Sequence, residues 1–398
     1  MSKTHYQILI VGGGTGGIAV AARLRNASES LDIGLIEPSS KHYYQPLWTL
    51  VGGGVFAKEI SERNEEDYIP AGVDWLQDKV ASFQPEEKAL TLASGQKIGY
   101  DYLVVSAGMQ LNWEKVPGLR ESIGKYNVCS NYSYETVDST WDLVKNFKGG
   151  TAIFTQPGTP IKCGGAPQKA LYMTEDYFRS KSRVRAKTKM VFCSGLAGIF
   201  GVPKYKAALE KVLKRKEITD THFRNELIEV RGPEQEAVFK HLDTGVEQVI
   251  KYDLLHATPP MSAPDFIKAS PLVDAAQFVD INKHTMQHVK YPEIFALGDC
   301  TNAPTARTGA AIRKQAPVLV ENLLALMQNR QLKASYDGYS SCPLVTGYGS
   351  LILAEFDYDS KPVESFPFDQ SQERFSMYML KAYGLPQMYW NGMMRGQL

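Results

Sequence analysis

Apolar residues open the chain in continuous runs rather than in alternation. Ile8-Leu9-Ile10 is too short for a helix and stops at Val11-Gly12-Gly13-Gly14-Thr15-Gly16-Gly17. Ile18-Ala19-Val20-Ala21-Ala22-Arg23-Leu24 follows, with small residues suited to close packing. This pattern predicts a strand buried on both faces, a tight turn, and a helix lying on the sheet. Ile33-Gly34-Leu35-Ile36 predicts a second buried strand. Between 73 and 99 the pattern becomes short stretches, Val73–Leu76, Lys79–Phe83 and Ala89–Leu92, with a Ser94-Gly95 turn, which predict strands. Tyr100–Val105 is again continuous and ends on Ser106-Ala107-Gly108. Residues 116–147 read as connector and helix, and Gly150–Thr155 as another strand. A strand ending in Leu297-Gly298-Asp299 leads to a long apolar helix through Met327, and Leu351–Phe356 is a late strand.

The first turn carries chemistry. Gly12, Gly14 and Gly17 match G-x-G-x-x-G, whose glycines turn the chain, admit a pyrophosphate to the backbone, and let helix pack on strand. The helix N-terminus would face the pyrophosphate. Glu37 ends the second strand twenty residues after Gly17, where an acid can hold the ribose hydroxyls of an adenosine. Strand, loop, helix, strand and acid in register predict a dinucleotide site. Ala107 and Gly108 are where the backbone would meet that dinucleotide a second time, and Asp299 can accept bonds from a polyol chain. Lys189–Gly201 reads as a second strand-to-helix nucleotide turn with its glycines misplaced at 195, 198 and 201, hence a nucleotide site that has lost its ligand.

Composition narrows the class. With 398 residues, two or three domains are expected, and a net charge of +1 leaves no electrostatic footprint for nucleic acid. No run is long and apolar enough to span a bilayer, and the start shows no signal or transit pattern, so synthesis and retention in the cytoplasm are expected. The five cysteines, at 129, 163, 193, 300 and 342, have no metal-type spacing, and a disulfide scaffold does not suit this size. Cys163 lies in Pro157-Gly158-Thr159-Pro160-Ile161-Lys162-Cys163-Gly164-Gly165-Ala166-Pro167-Gln168-Lys169, a glycine-rich strand-to-helix loop with lysines on both sides. That is a setting for a reactive thiolate. Cys342 occupies a second loop, whereas Cys193 and Cys300 read as core residues.

Two stretches have an unusual composition. Lys41-His42-Tyr43-Tyr44-Gln45-Pro46-Leu47-Trp48 is aromatic and too irregular for a helix; it suits either a fold over a flat ring system or a packed surface loop. Residues 375–395 are rich in Met and aromatics and broken by Gly and Pro. They suit either a membrane interface with Tyr, Trp, Lys and Arg at headgroup level, or a lid or homodimer contact.

Gly12-x-Gly14-x-x-Gly17 with Glu37, Tyr102–Gly108 and Leu297-Gly298-Asp299 resemble the FAD signatures of the flavoproteins with two dinucleotide-binding domains. Within that superfamily the chain resembles the sulfide:quinone oxidoreductases of the type II branch. Tyr43–Gly52, Lys162–Lys169, Ser341–Tyr348 and Phe366-Pro367-Phe368-Asp369-Gln370 carry the resemblance. It implies an α/β fold of two Rossmann-like domains plus a C-terminal segment facing membrane and quinone. The expected division is 1–113 with 292–336 for FAD, 114–291 for a second Rossmann-like domain with a degenerate nucleotide site, and 337–398 for the C-terminal part. It implies Cys163 and Cys342 as the catalytic redox pair, with a bridging sulfur possible between them. Gly12, Gly14, Gly17, Glu37, Gln45, Ala107, Gly108, Asp299 and Lys381 are the implied cofactor-side residues, with no metal. Cys129 lies close to where the type I branch has a third cysteine. The implied activity is oxidation of hydrogen sulfide to sulfane sulfur, with electrons passing through FAD to ubiquinone or menaquinone. Sulfite, glutathione, coenzyme A or another sulfide would take the sulfur. The implied location is peripheral, or monotopic, on the cytoplasmic side of the inner membrane. Two rivals are a type 2 NADH:quinone oxidoreductase, which needs an intact second glycine fingerprint, and a flavin-binding redox sensor, which needs no interfacial C-terminus.

Overall fold

The computed structural model describes residues 3–398. The run that begins the chain forms the strand His5–Val11, at the centre of a seven-stranded sheet. It pairs in parallel with Ile33–Ile36 on one side and Lys97–Val105 on the other, and Val73–Leu76 adds beyond Ile33–Ile36. Near the start of Lys97–Val105 the antiparallel strands Ala89–Leu92 and Val80–Gln84 attach. Near its end Ile294–Ala296, almost two hundred residues later, pairs in parallel and brings Gly298 and Asp299 to the same rim as the glycine turn. The helix Thr15–Ala27 is buried at Gly16 through Ala22 and again at Leu24. It is enclosed because the helix Gly309–Met327 and the last residues of the chain also pack on it.

A second sheet is wholly parallel, in the order Val128–Cys129, Leu254–His256, Gly150–Gln156, Thr188–Ser194, Asp220–Phe223. Its first strand lies within the stretch expected to be connector and helix. Two residues carry too little pattern to be read as a strand, and pairing with Leu255 and His256 makes it one. The order corrects the placing of the second nucleotide turn. The central strand that starts the winding is Gly150–Gln156, so the fingerprint position is residues 157–165, not 189–201. The loop with Cys163 stands where a nucleotide loop would be. Gly195 and Gly158 pack backbone to backbone, and a Cβ on Gly195 would stand 2.7 Å from Gly158 Cα. The three-stranded antiparallel sheet Asn225–Arg231, Glu236–His241 and Glu247–Lys251 follows this unit.

Cys342 is on Ser340–Gly347, paired with Ser350–Phe356 in an antiparallel hairpin. The residue is thus in a strand, not a loop. From Phe375 to Arg395 the chain is nearly continuously helical, with π-type turns at Leu380–Gly384 and Met388–Gly392. The aromatic stretch is also more regular than expected: Lys41–Tyr43 is a strand and a short helix runs from Trp48 to Gly52.

Candidate functional site

The first part of the site is the glycine turn. Gly12 has φ +97°, open to glycine and strained for other residues, and a Cβ there would stand 2.7 Å from Ser106 O. A side chain at Gly17 would overlap Gly12 O, so helix and turn meet only through glycine. The Ser106 hydroxyl clasps the turn, 3.0 Å from Val11 O and 2.9 Å from Gly12 O. Gly14 and Gly108 differ: the space beyond each is open, and they line the cradle rather than its packing. Glu37 accepts the Gly13 N–H at 2.8 Å and the Ser39 N–H at 2.8 Å. Burial raises its carboxyl pKa, and these two N–H groups oppose the rise.

The second part is the thiol pair. Cys163 and Cys342 are 179 residues apart in sequence, and their sulfurs are 3.7 Å apart. Gly165 makes this approach feasible, since a Cβ there would lie 2.6 Å from Cys342 Sγ. Cys163 takes a left-handed conformation, φ +50°, and its N–H donates to Arg307 O at 2.9 Å. Lys169, on the first turn of the helix Ala166–Ser180, donates to Cys163 Sγ at 3.1 Å. The hydrogen bond from Cys342 and then the Lys169 charge hold the Cys163 thiol well below the usual range, against burial. Cys342 moves the other way, because it donates to Cys163 and is itself buried. The remaining cysteines are in the core: burial pushes Cys129 and Cys300 up to about 12 and raises Cys193 too.

The third part joins the two. The Lys162–Arg307 bridge ties the Cys163 loop to the segment after Asp299, and Arg307 Nε donates to Asp299 O at 3.1 Å. Burial raises the Asp299 carboxyl pKa, and Arg307 and Lys162 pull it back. Lys162 Nζ donates to Gln45 Oε1 at 2.7 Å, which brings the aromatic stretch into the site, and burial lowers Lys162 to about 8. Lys381 Nζ donates to Pro46 O at 2.6 Å; burial, then the nearby Lys169 charge, lower it to about 7. Of the two lysines expected to flank the thiolate, it is Lys169 that reaches the sulfur, carried there by the helix that starts at Ala166, whereas Lys162 turns to Gln45.

The C-terminal segment presents two faces. Phe375, Met379 and Tyr383, at i, i+4 and i+8, are exposed, with Met388 beyond them. Tyr383 packs edge-on to Phe56 at 5.6 Å. Met377, Tyr378, Tyr389, Trp390, Met393 and Met394 are buried in the same core as the first sheet, and Lys381 is buried too. The expectation of Tyr, Trp and Lys at headgroup level therefore fails for Tyr389, Trp390 and Lys381. Among the described residues no helix is long and apolar enough to cross a membrane, and no cluster of three metal-ligating side chains occurs.

A turn-and-acid cradle beside a thiol pair, on one mixed and one wholly parallel sheet, defines a flavin-type disulfide oxidoreductase. The family described as pyridine nucleotide-disulphide oxidoreductase matches residues 6–143. The chain is 48% identical over 396 residues to the mitochondrial sulfide:quinone oxidoreductase of Mus musculus, covering 99% of this chain and 88% of that one. It is 47% identical to the mitochondrial enzyme of the same name from Dictyostelium discoideum, over 99% of this chain and 87% of that one. The solved structure of the Aquifex aeolicus sulfide:quinone oxidoreductase superimposes with TM-score 0.84 at 20% identity, covering 99% of this chain and 92% of that one. The chain belongs to the sulfide:quinone oxidoreductase family.

Proposed function

We propose that this protein oxidises sulfide at the Cys163–Cys342 pair and delivers the electrons, through FAD, to a membrane quinone. The observation that carries the reading is the pair itself: two sulfurs 3.7 Å apart, one of them bonded to Lys169. That gap exceeds the ~2.05 Å of an S–S bond and suits a pair that opens and closes around one added sulfur. The cradle fits a dinucleotide, with open space over Gly14 and Gly108 and acids at both ends, Glu37 and Asp299. FAD, when bound, supplies a two-electron relay between thiolate and quinone. The glycine turn, Glu37, Ala107, Gly108 and Asp299 would hold it, with Gln45 and Lys381 beside it. The units 1–113 with 292–336, 114–291, and 337–398 divide the labour, except that Ala263, Leu272, Val279, Ile281, Met286 and Tyr291 pack into the core of the first unit.

Hydrosulfide attacks the Cys342 sulfur of the oxidised pair. The bond between the cysteines breaks, Cys342 carries the persulfide, and Cys163 leaves as thiolate. Lys169 stabilises that leaving thiolate by a charged hydrogen bond. Lys381, lowered to about 7, takes up or releases a proton at Nζ near neutrality. The sulfane sulfur passes to a nucleophile such as sulfite, glutathione, coenzyme A or sulfide. The exposed Phe375, Met379 and Tyr383 seat the protein peripherally on a membrane, on its cytoplasmic side, and give quinone its way in. An NADH-dependent reading is disfavoured, because the loop of Cys163 occupies the second fingerprint position.

Rapid mixing under anaerobic conditions tests this. Sulfide should bleach the flavin and NADH should not. Cys163→Ser and Cys342→Ser should each lose sulfide-dependent quinone reduction while keeping FAD. Bleaching by NADH, or near-normal turnover in either serine variant, would overturn the reading.

A further inference from the structure

The last residues of the chain lie along the nucleotide helix. Tyr389 OH is 2.8 Å from Oγ1 of Thr15, the first residue of that helix, and 2.5 Å from His42 Nε2. His42 Nδ1 is 3.0 Å from Glu65 Oε2. Tyr389, His42 and Glu65 are 6%, 3% and 1% exposed, so water does not compete for these bonds. Both ring nitrogens of His42 are engaged, so the imidazole is fixed in orientation. Tyr389, between Nε2 and Oγ1, then has its hydroxyl hydrogen and a lone pair engaged. The other Glu65 oxygen fills the space a side chain at Gly13 would need, next to Glu37. The hydrogen-bonded chain thus runs from Thr15 to Glu65, whose other oxygen, with no hydrogen-bond partner of its own, lies beside Gly13. Further along, Asn26 Nδ2 donates to Arg395 O at 2.9 Å, Arg395 Nη1 donates to Asp67 O at 3.1 Å, and Met394 is fully buried.

We propose that Tyr389 is a positioning residue of the FAD site: anchored by His42 and Glu65, its hydroxyl holds Thr15 and the start of the nucleotide helix in the binding geometry. FAD binding and the seating of residues 385–398 are then coupled, and the coupling is reciprocal: the factor by which the seated segment tightens FAD is the factor by which FAD favours seating. The inference rests on FAD being the cofactor. Its measurements use neither sulfide nor quinone, so a failed sulfide reading would appear in the cysteine variants and not here.

The test is FAD titration of flavin-free protein, followed by flavin fluorescence. Tyr389→Phe keeps the ring packing and removes the hydroxyl; it should weaken FAD about 3- to 10-fold, the effect of one buried neutral hydrogen bond. Thr15→Val should do the same, and the double variant should be no weaker than either single one, since both cut the same link. In the unaltered protein FAD should slow hydrogen exchange across 385–398, and less so in Tyr389→Phe. That last reading needs no variant to fold. Unchanged FAD affinity in Tyr389→Phe with only a lower melting temperature, additive losses in the double variant, or no FAD-dependent protection in the unaltered protein would each overturn the proposal.

Discussion

Lys169 Nζ donates to Cys163 Sγ at 3.1 Å, and each group stabilises the charge on the other. Burial alone would drive the ammonium pKa down, yet the Cys163 and Cys342 sulfurs outweigh it and raise it. Removing the cation therefore leaves a buried sulfur without its counter-charge. Lys169→Met should move the pH midpoint of Cys163 alkylation upward. A lost charged hydrogen bond of roughly 1.5–3 kcal/mol should slow sulfide-dependent flavin reduction about ten- to a hundredfold. An unmoved alkylation profile would show that the lysine does not hold the thiolate.

Lys381 gives a pH dependence of opposite character. Its folded pKa, about 7, lies below the 10.5 of an exposed lysine because burial penalises the charge. Between those values the unfolded chain binds more protons than the folded one, so this group makes stability rise with pH across that window. Below pH 7 the full penalty applies, at most about 5 kcal/mol. Lys381→Met should therefore raise the melting temperature of flavin-free protein at pH 6, and the gain should shrink toward pH 10. A gain independent of pH would mean that Lys381 is not an unfavourably buried cation.

Glu37 holds the turn as well as facing the cradle. Glu37→Ala removes the acceptor for the Gly13 and Ser39 N–H groups. FAD affinity should fall about ten- to a hundredfold, as expected for a lost charged hydrogen bond of ~1.5–3 kcal/mol. Equilibrium dialysis should also find one FAD, not FMN, per unaltered chain. Full flavin retention in Glu37→Ala would place the ribose elsewhere.

The membrane contact is separable from the fold only on its exposed face. Phe375→Ser with Tyr383→Ser removes two apolar side chains that are 65% and 53% exposed, so melting should change little. Sedimentation with lipid vesicles should show weaker binding; burying each ring is worth about 1.5–3 kcal/mol. Deletion from Phe375 onward is a poorer experiment, because it also removes Tyr389, Trp390 and Met394 from the core and should strip the flavin. If the double serine variant still sediments fully, the membrane contact lies on another face.

The sequence by itself determined the local elements and one local site. The run from Ile8 to Gly17, the following helix and the acid at Glu37 form within thirty residues, and glycine spacing dictates the turn because no other residue fits Gly12 or Gly17. The Cys163 loop was equally legible as a place for a thiolate. Sheet order decided what lay beyond that. Gly150–Gln156 is the central strand of the second sheet only because Leu254–His256 pairs beside it a hundred residues later, and this moved the second fingerprint from 189–201 to the cysteine loop. Cys342 beside Cys163, Lys381 under Pro46, and Tyr389 between Thr15 and His42 each join residues that share no local pattern. Periodicity records which face of an element is apolar. It does not record what covers that face, and in residues 375–395 both faces are apolar, so only packing could assign one to the core and the other to the outside.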